Sequence, residues 1–175
     1  MNINKRRIFI SMYFRDELSI GQYRNSYHWG ILIRPKYPSS HDTHAFDITN
    51  GVRLDGKTMT DLNPNRDWYF RLNEHVNPAN NTHILGGIMV GKVPHEVTIS
   101  QIEDILRPVP LPVKDAVPKE TCVTWVKAAI RALQEAELVE KFDVDGFMAH
   151  AQDFANKRMA KGGPPEYINY TARVM

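Results

Sequence analysis

The chain carries one cysteine, Cys122, within Glu120-Thr121-Cys122-Val123-Thr124-Trp125-Val126-Lys127. The stretch that follows, Ala128 to Leu138, is rich in strong helix formers. Cys122, Val126, Ala129, Ile130 and Leu133 recur at spacings of four, seven, eight and eleven, which is one stripe of a helix. Pro112 and Pro118 cannot continue a helix backwards, so its start is expected between Pro118 and Thr121. Cys122 then sits in the first turn. Backbone N–H groups there lack intrahelical partners, and the helix dipole favours negative charge. That setting lowers a thiol pKa and supplies thiolate, the nucleophilic form. The competing reading is a small apolar residue on a buried stripe, a common place for free cysteine. A base elsewhere in the chain decides between the two.

A thiol nucleophile needs a base within hydrogen-bond reach, and the base needs an orienting group. Among seven histidines, His28 is the most suggestive. It lies in Tyr27-His28-Trp29-Gly30-Ile31-Leu32-Ile33-Arg34, where alternation puts His28, Gly30 and Leu32 on one face. Gly30, two residues along, leaves room beside the imidazole for another group or a substrate. His44 lies on a neighbouring strand candidate, on one face with Phe46 and Ile48. Two histidines on adjacent strands, facing the cysteine helix, would make a Cys-His-His constellation. His41 could replace His44. Asp47 could as well, although alternation sends it to the opposite face. Tyr27, Trp29 and Trp125 could line a substrate pocket, although such aromatics more often belong to a core. Each histidine also has a plain reading as a polar side chain satisfied by backbone.

Five segments are expected as strands: Arg6 to Phe14, Tyr27 to Arg34, Thr43 to Thr49, Trp68 to Leu72 and His83 to Val93. Asp16 to Asn25 reads as a polar loop, Asn50-Gly51 as a turn, and Val52 to Asn65 as a loop. Short connections predict antiparallel pairing. Downstream, Ser100-Gln101-Ile102-Glu103 fits a capping box, and Pro108 and Pro110 stop the short helix that follows. After the cysteine helix, a last helix is predicted from about Val144 to Lys161, ended by Gly162-Gly163-Pro164-Pro165. Tyr167-Ile168-Asn169-Tyr170 could add an edge strand. The expected class is α+β, a single domain over 1–175. Its N-terminal β half spans about 6–93, and its C-terminal helical half about 99–162. An antiparallel sheet of about five strands would pack against the cysteine-bearing helix.

Three motifs in order carry a resemblance: Tyr27-His28-Trp29-Gly30-Ile31-Leu32-Ile33, then Thr43-His44-Ala45-Phe46, then Thr121-Cys122-Val123-Thr124-Trp125-Val126. This pattern resembles the permuted papain-like enzymes of the NlpC/P60 superfamily. The most similar branch is the lecithin:retinol acyltransferase-like and phospholipase/acyltransferase group. The order His, His, Cys matches the permuted arrangement. The resemblance implies a sheet carrying both histidines, packed on the cysteine helix. It implies Cys122 as nucleophile, His28 as general base and His44 as the residue orienting it. It also implies an oxyanion held partly by the Cys122 backbone N–H. The chemistry implied is a thioester with an acyl or peptidyl group, then hydrolysis or transfer. No C-terminal membrane anchor like that of the acyltransferases is expected, so the resemblance does not imply a phospholipid substrate. The same motifs, with Gly91-Lys92-Val93 before a short helix, also resemble small fungal proteins of unassigned function. Two further readings stay open: a silent binding module of the same fold, and a small-molecule isomerase or cyclase using the histidines as acid and base.

Composition bounds the rest. The 175 residues are 42% hydrophobic and 24% charged, enough for one domain with a core. A net charge of +2 gives no electrostatic footprint for nucleic acid or an anionic membrane. Lys5-Arg6-Arg7 reads as a solubilising strand start. One cysteine excludes an intrachain disulfide and a Cys-based zinc site. Polar residues interrupt the opening segment, so no signal peptide is read, and the expected place is the cytoplasm. Gly86-Gly87-Ile88-Met89-Val90-Gly91-Lys92-Val93 has Walker A spacing but lacks the Ser/Thr that binds Mg²⁺, and its middle reads as a strand. Asp143-Val144-Asp145-Gly146 lacks the other ligands of a calcium loop and reads as a helix start. His41 and His44 have no third ligand at metal spacing. No cofactor or metal is expected, and the expected partner is a small acyl, amide or peptide substrate.

Overall fold

The structure is a computed structural model that describes residues 4–15 and 26–175. The polar loop expected from Asp16 to Asn25 lies outside the described residues. The fold is α+β. Six strands form one mixed sheet: β1 (Arg6–Tyr13), β2 (His28–Pro35), β3 (Thr43–Thr49), β4 (Tyr69–Val76), β5 (Ile84–Lys92) and β6 (Glu166–Asn169). Three helices follow β5: α1 (Ile99–Leu106), α2 (Cys122–Glu135) and α3 (Val144–Lys161). The strand order is β4-β3-β2-β1-β5-β6.

The five expected strands pair antiparallel, and the sixth joins β5 in parallel. A parallel neighbour needs a crossover, and the three helices supply it. The antiparallel expectation therefore does not extend to this edge. Gly86 makes the edge possible. Its φ is 144°, and a Cβ there would stand 1.8 Å from the Glu166 carbonyl oxygen. Strand β4 runs to Val76, beyond the expected Leu72. Asn73, Glu74 and His75 look unlike a strand because β4 is an edge and their side chains are exposed.

Helices cover one face of the sheet. Ile8, Ile10, Met12, Trp29, Ile31, Ile33, Phe46 and Ile48 meet Val126, Ala129, Ile130, Leu133, Phe147 and Ala151 in the main core. The other face carries a smaller cluster of Phe9, Leu32, Ile84 and Met89. The whole stripe Cys122, Val126, Ala129, Ile130 and Leu133 is buried, as its spacing predicts. The capping box of α1 is Thr98 with Gln101, two residues before the expected one: Thr98 Oγ1 accepts from the Gln101 N–H, and the Gln101 side chain accepts from the Thr98 N–H. Helix α3 spans the predicted residues. The Asp143 side chain caps its start, and Gly162, at φ 67°, ends it.

The Walker-like glycines have packing roles. Gly91 lies under the turn after α2, and a Cβ there would come within 2.0 Å of the Leu138 carbonyl oxygen. Backbone cannot yield as a flexible side chain can. Gly91→Ala is therefore expected to cost about 2 kcal/mol or more, read as a lower urea midpoint with an unchanged slope. A midpoint equal to that of the wild type would refute the close approach.

Candidate active site

Cys122 is the first residue of α2, and Thr121 is the N-cap. Thr121 Oγ1 accepts from the Val123 N–H at 3.2 Å, and Thr124 Oγ1 accepts from the Thr121 N–H at 3.1 Å. This reciprocal pair fixes the first turn. The sulfur is enclosed, with Cys122 only 1% exposed. Its Sγ lies 3.9 Å from the Tyr27 carbonyl, and the Trp29 N–H is near enough to lower the thiol pKa.

His28 is the first residue of β2, so its ring lies at the end of the sheet where α2 begins. It lies close enough to Cys122 for each group to shift the titration of the other. Its Nε2 stands 2.7 Å from Asp47 Oδ2, which leaves Nδ1 as the ring nitrogen for the thiol. Arg71 holds Asp47 with both arms: Nε to Oδ1 at 2.8 Å and Nη2 to Oδ2 at 2.6 Å. A bidentate guanidinium–carboxylate pair is stiff as well as strong. The result is a chain of contacts, Cys122–His28–Asp47–Arg71. The Tyr13 ring packs against His28 at 5.8 Å between centroids.

Strand register decides which acid-or-base side chain reaches His28. Ile31 pairs with Phe46, Leu32 with Ala45 and Ile33 with His44. His44 therefore falls on the helix-facing side with Ile33, away from His28. Asp47 falls on the same side as His28, Gly30 and Leu32. The expected orienting contact from His44 to His28 is absent, and Asp47 stands in its place. Asp47 does lie on the face opposite His44, and that is the face of His28. His44 is buried, its Nδ1 has no hydrogen-bond partner among the described residues, and its ring meets His75 at 4.9 Å. His41 is exposed on the loop before β3, with its Nδ1 at 2.6 Å from Ser40 Oγ. Gly30 lies directly against Asp47; a Cβ there would stand 3.3 Å from the Asp47 Cβ and 3.2 Å from the Phe46 carbonyl oxygen.

The aromatics expected to line a pocket are mostly core. Trp29 and Trp125 are each 1% exposed. Tyr27 is buried too, with its hydroxyl donating to Asn156 Oδ1 at 2.8 Å. Two arginines were missed by sequence reasoning. Arg71 sits in an apolar-looking strand between Phe70 and Leu72, and only register places it against Asp47. Arg15 has no spacing signal, yet its Nη2 stands 4.0 Å from Cys122 Sγ. Its Nε is buried without a hydrogen-bond partner among the described residues.

The electrostatics are mutual. Burial alone would push the Cys122 thiol up, but His28, the Trp29 N–H and Arg15 together hold it below its ordinary value. Burial alone would lower His28, but Asp47 and Cys122 beside it raise it to about 9. Burial would raise Asp47, yet His28 and Arg71 hold its carboxyl below the usual range. These directions favour a thiolate–imidazolium pair braced by a carboxylate.

A family model described as "family of unknown function (DUF6914)" matches residues 5–163. The chain belongs to this family. The DUF6914 match covers β1 to α3, and with them Arg15, His28, Asp47, Arg71 and Cys122; β6 lies beyond it. No curated protein and no solved structure matches the chain. Among the described residues no helix is long and apolar enough to cross a membrane.

Proposed function

We propose that this DUF6914 protein is a cysteine-dependent hydrolase or acyl/peptidyl transferase with a permuted papain-like arrangement. The observation that carries this reading is the contact chain from Cys122 through His28 to Asp47. Its parts have the order that thiol catalysis needs: nucleophile, base, orienting acid. The thiolate attacks the carbonyl carbon of an ester or amide, and the carbonyl π electrons move onto oxygen. The tetrahedral intermediate collapses to a thioester, and the His28 imidazolium gives its proton to the departing alkoxide or amine. Neutral His28 then takes a proton from water or an acceptor. That nucleophile attacks the thioester and releases the Cys122 thiolate. Two donors lie close enough to serve the oxyanion: the Cys122 backbone N–H at the helix start and the Arg15 guanidinium. A reducing compartment such as the cytoplasm would keep the lone thiol free.

Incubation with p-nitrophenyl acetate tests the reading. A burst of one p-nitrophenolate per chain and an acetyl adduct on Cys122 by mass spectrometry are expected. Absence of any adduct, or an adduct retained by Cys122→Ala, would reject it. Arg15→Ala adds a finer test. Acylation by the ester, which builds an oxyanion, is expected to fall about 10²-fold. Alkylation by iodoacetamide, which builds none, is expected to stay within a fewfold once compared at the pH plateau. Equal losses in both reactions would remove Arg15 from the oxyanion role.

A further inference from the structure

A second candidate site lies on the sheet face that the helices leave uncovered. Arg34, on β2, projects there with Leu32. Its guanidinium carbon sits 4.1 Å from the Tyr167 ring centroid and 5.5 Å from that of Phe9. Phe9 and Tyr167 in turn meet edge-to-face at 5.5 Å. The Arg34 charge beside Tyr167 also opposes the rise that burial gives its phenol pKa. The rings fix the plane of the fork. No carboxylate pairs with Arg34 among the described residues. The nearby acids are otherwise engaged: Glu166 with Arg158 and Lys161, and Asp42 with the Ser39 N–H.

This guanidinium borders a cavity of about 630 Å³. Ser39, Ser40, Asn77 and Thr82 give it a polar wall, and Pro38, Pro78, Ala79 and Ile84 an apolar one. The volume is that of a small-molecule site. A stacked arginine with free N–H edges, facing hydroxyls and amides, is suited to a planar or tetrahedral oxyanion. The apolar wall is suited to an organic body beside it.

We propose that this cavity binds a small organic anion, with a carboxylate or phosphate head on Arg34 and an apolar body against Pro38, Pro78 and Ile84. It is separate from the thiol centre and does not depend on the reading of that centre. The cavity shares Asn77, Pro78, Asn81 and Ile84 with a smaller one of about 260 Å³, which Asp47, Arg71 and His28 border. A longer ligand body would run toward the back of the Asp47–Arg71 pair.

Isothermal titration with benzoate and with phenyl phosphate, at matched ionic strength, tests the proposal. Saturable binding of at least one probe is expected, and the tighter probe identifies the head group. Arg34→Gln should weaken that probe about tenfold or more, and Arg34→Lys by less, because lysine keeps the charge but loses the fork. Binding should persist in Cys122→Ala, which separates this site from the thiol centre. No saturable binding of either probe at millimolar concentration, or equal affinity in Arg34→Gln, would overturn it. A normal melting curve for Arg34→Gln establishes that any loss is local.

Discussion

Replacing His28 with alanine is expected to cut iodoacetamide alkylation of Cys122 about tenfold near neutral pH. The sign follows from the contacts. In the wild type, His28, the Trp29 N–H and Arg15 hold the thiol below its ordinary value against the opposing effect of burial. Without the imidazole, burial dominates and the thiol titrates higher. Fewer molecules then carry thiolate, partly offset by the greater intrinsic nucleophilicity of a higher-pKa thiolate. The wild-type rate should rise with an inflection below the ordinary thiol range, and that of the variant above it. Acyl turnover should lose more, about 10²- to 10⁴-fold, because leaving-group protonation goes as well. Its wild-type pH profile should be bell-shaped. The acid limb marks formation of thiolate, and the alkaline limb falls through about 9 as His28 loses its proton. Equal alkylation of wild type and variant at every pH would break the dyad. So would a Cys122 that reacts only after denaturation, since the sulfur is enclosed.

Asp47→Ala and His44→Ala are expected to separate sharply. Asp47 touches His28 at 2.7 Å and takes both arms of Arg71, whereas His44 faces His75 across the sheet. Asp47→Ala should lower acyl turnover about 10²- to 10⁴-fold, since the imidazole loses its orientation and the charge that stabilises it. It should also destabilise the fold, because His28 and Arg71 lose a mostly buried partner. The cost is expected at about 2–3 kcal/mol, below that of a fully buried pair because Arg71 is 39% exposed. The Asp47 carboxyl is held low in the folded state. Its contribution is therefore present above the unfolded aspartate pKa and lost as pH falls through the folded value. Wild-type melting temperature should drop across that acid range, and an Asp47→Asn variant should show a smaller drop. His44→Ala should leave the thiol pH profile unmoved. If His44→Ala abolished turnover and Asp47→Ala did not, the assignment of the third group would be reversed.

The residues of the centre differ in how openly the sequence displays them. Cys122 is legible because a helix start is written locally. Prolines precede it, threonine caps it, and an apolar stripe follows at helical spacing. His28 is legible because period-two alternation marks its strand, and the glycine two residues along on the same face signals space. The span of α3 is equally local, with Asp143 at one end and Gly162 at the other. These features depend on neighbours within a turn or two of chain. The resemblance to thiol enzymes named both residues from the same short motifs.

Asp47, Arg71 and Arg15 were legible only after folding. Alternation sorts the residues of one strand into two faces, but says nothing about which face of the next strand matches it. That depends on register, and a shift of one residue would turn Asp47 away from the face that carries His28. Arg71 needs a second register, between β3 and β4. Arg15 needs the end of β1 to meet the start of α2, 107 residues later. The sequence determined an α+β chain with a thiol at a helix tip and an imidazole in the second strand. Tertiary structure alone decided that a carboxylate, not a second imidazole, stands behind that ring, because pairing between strands is a property of the assembled sheet.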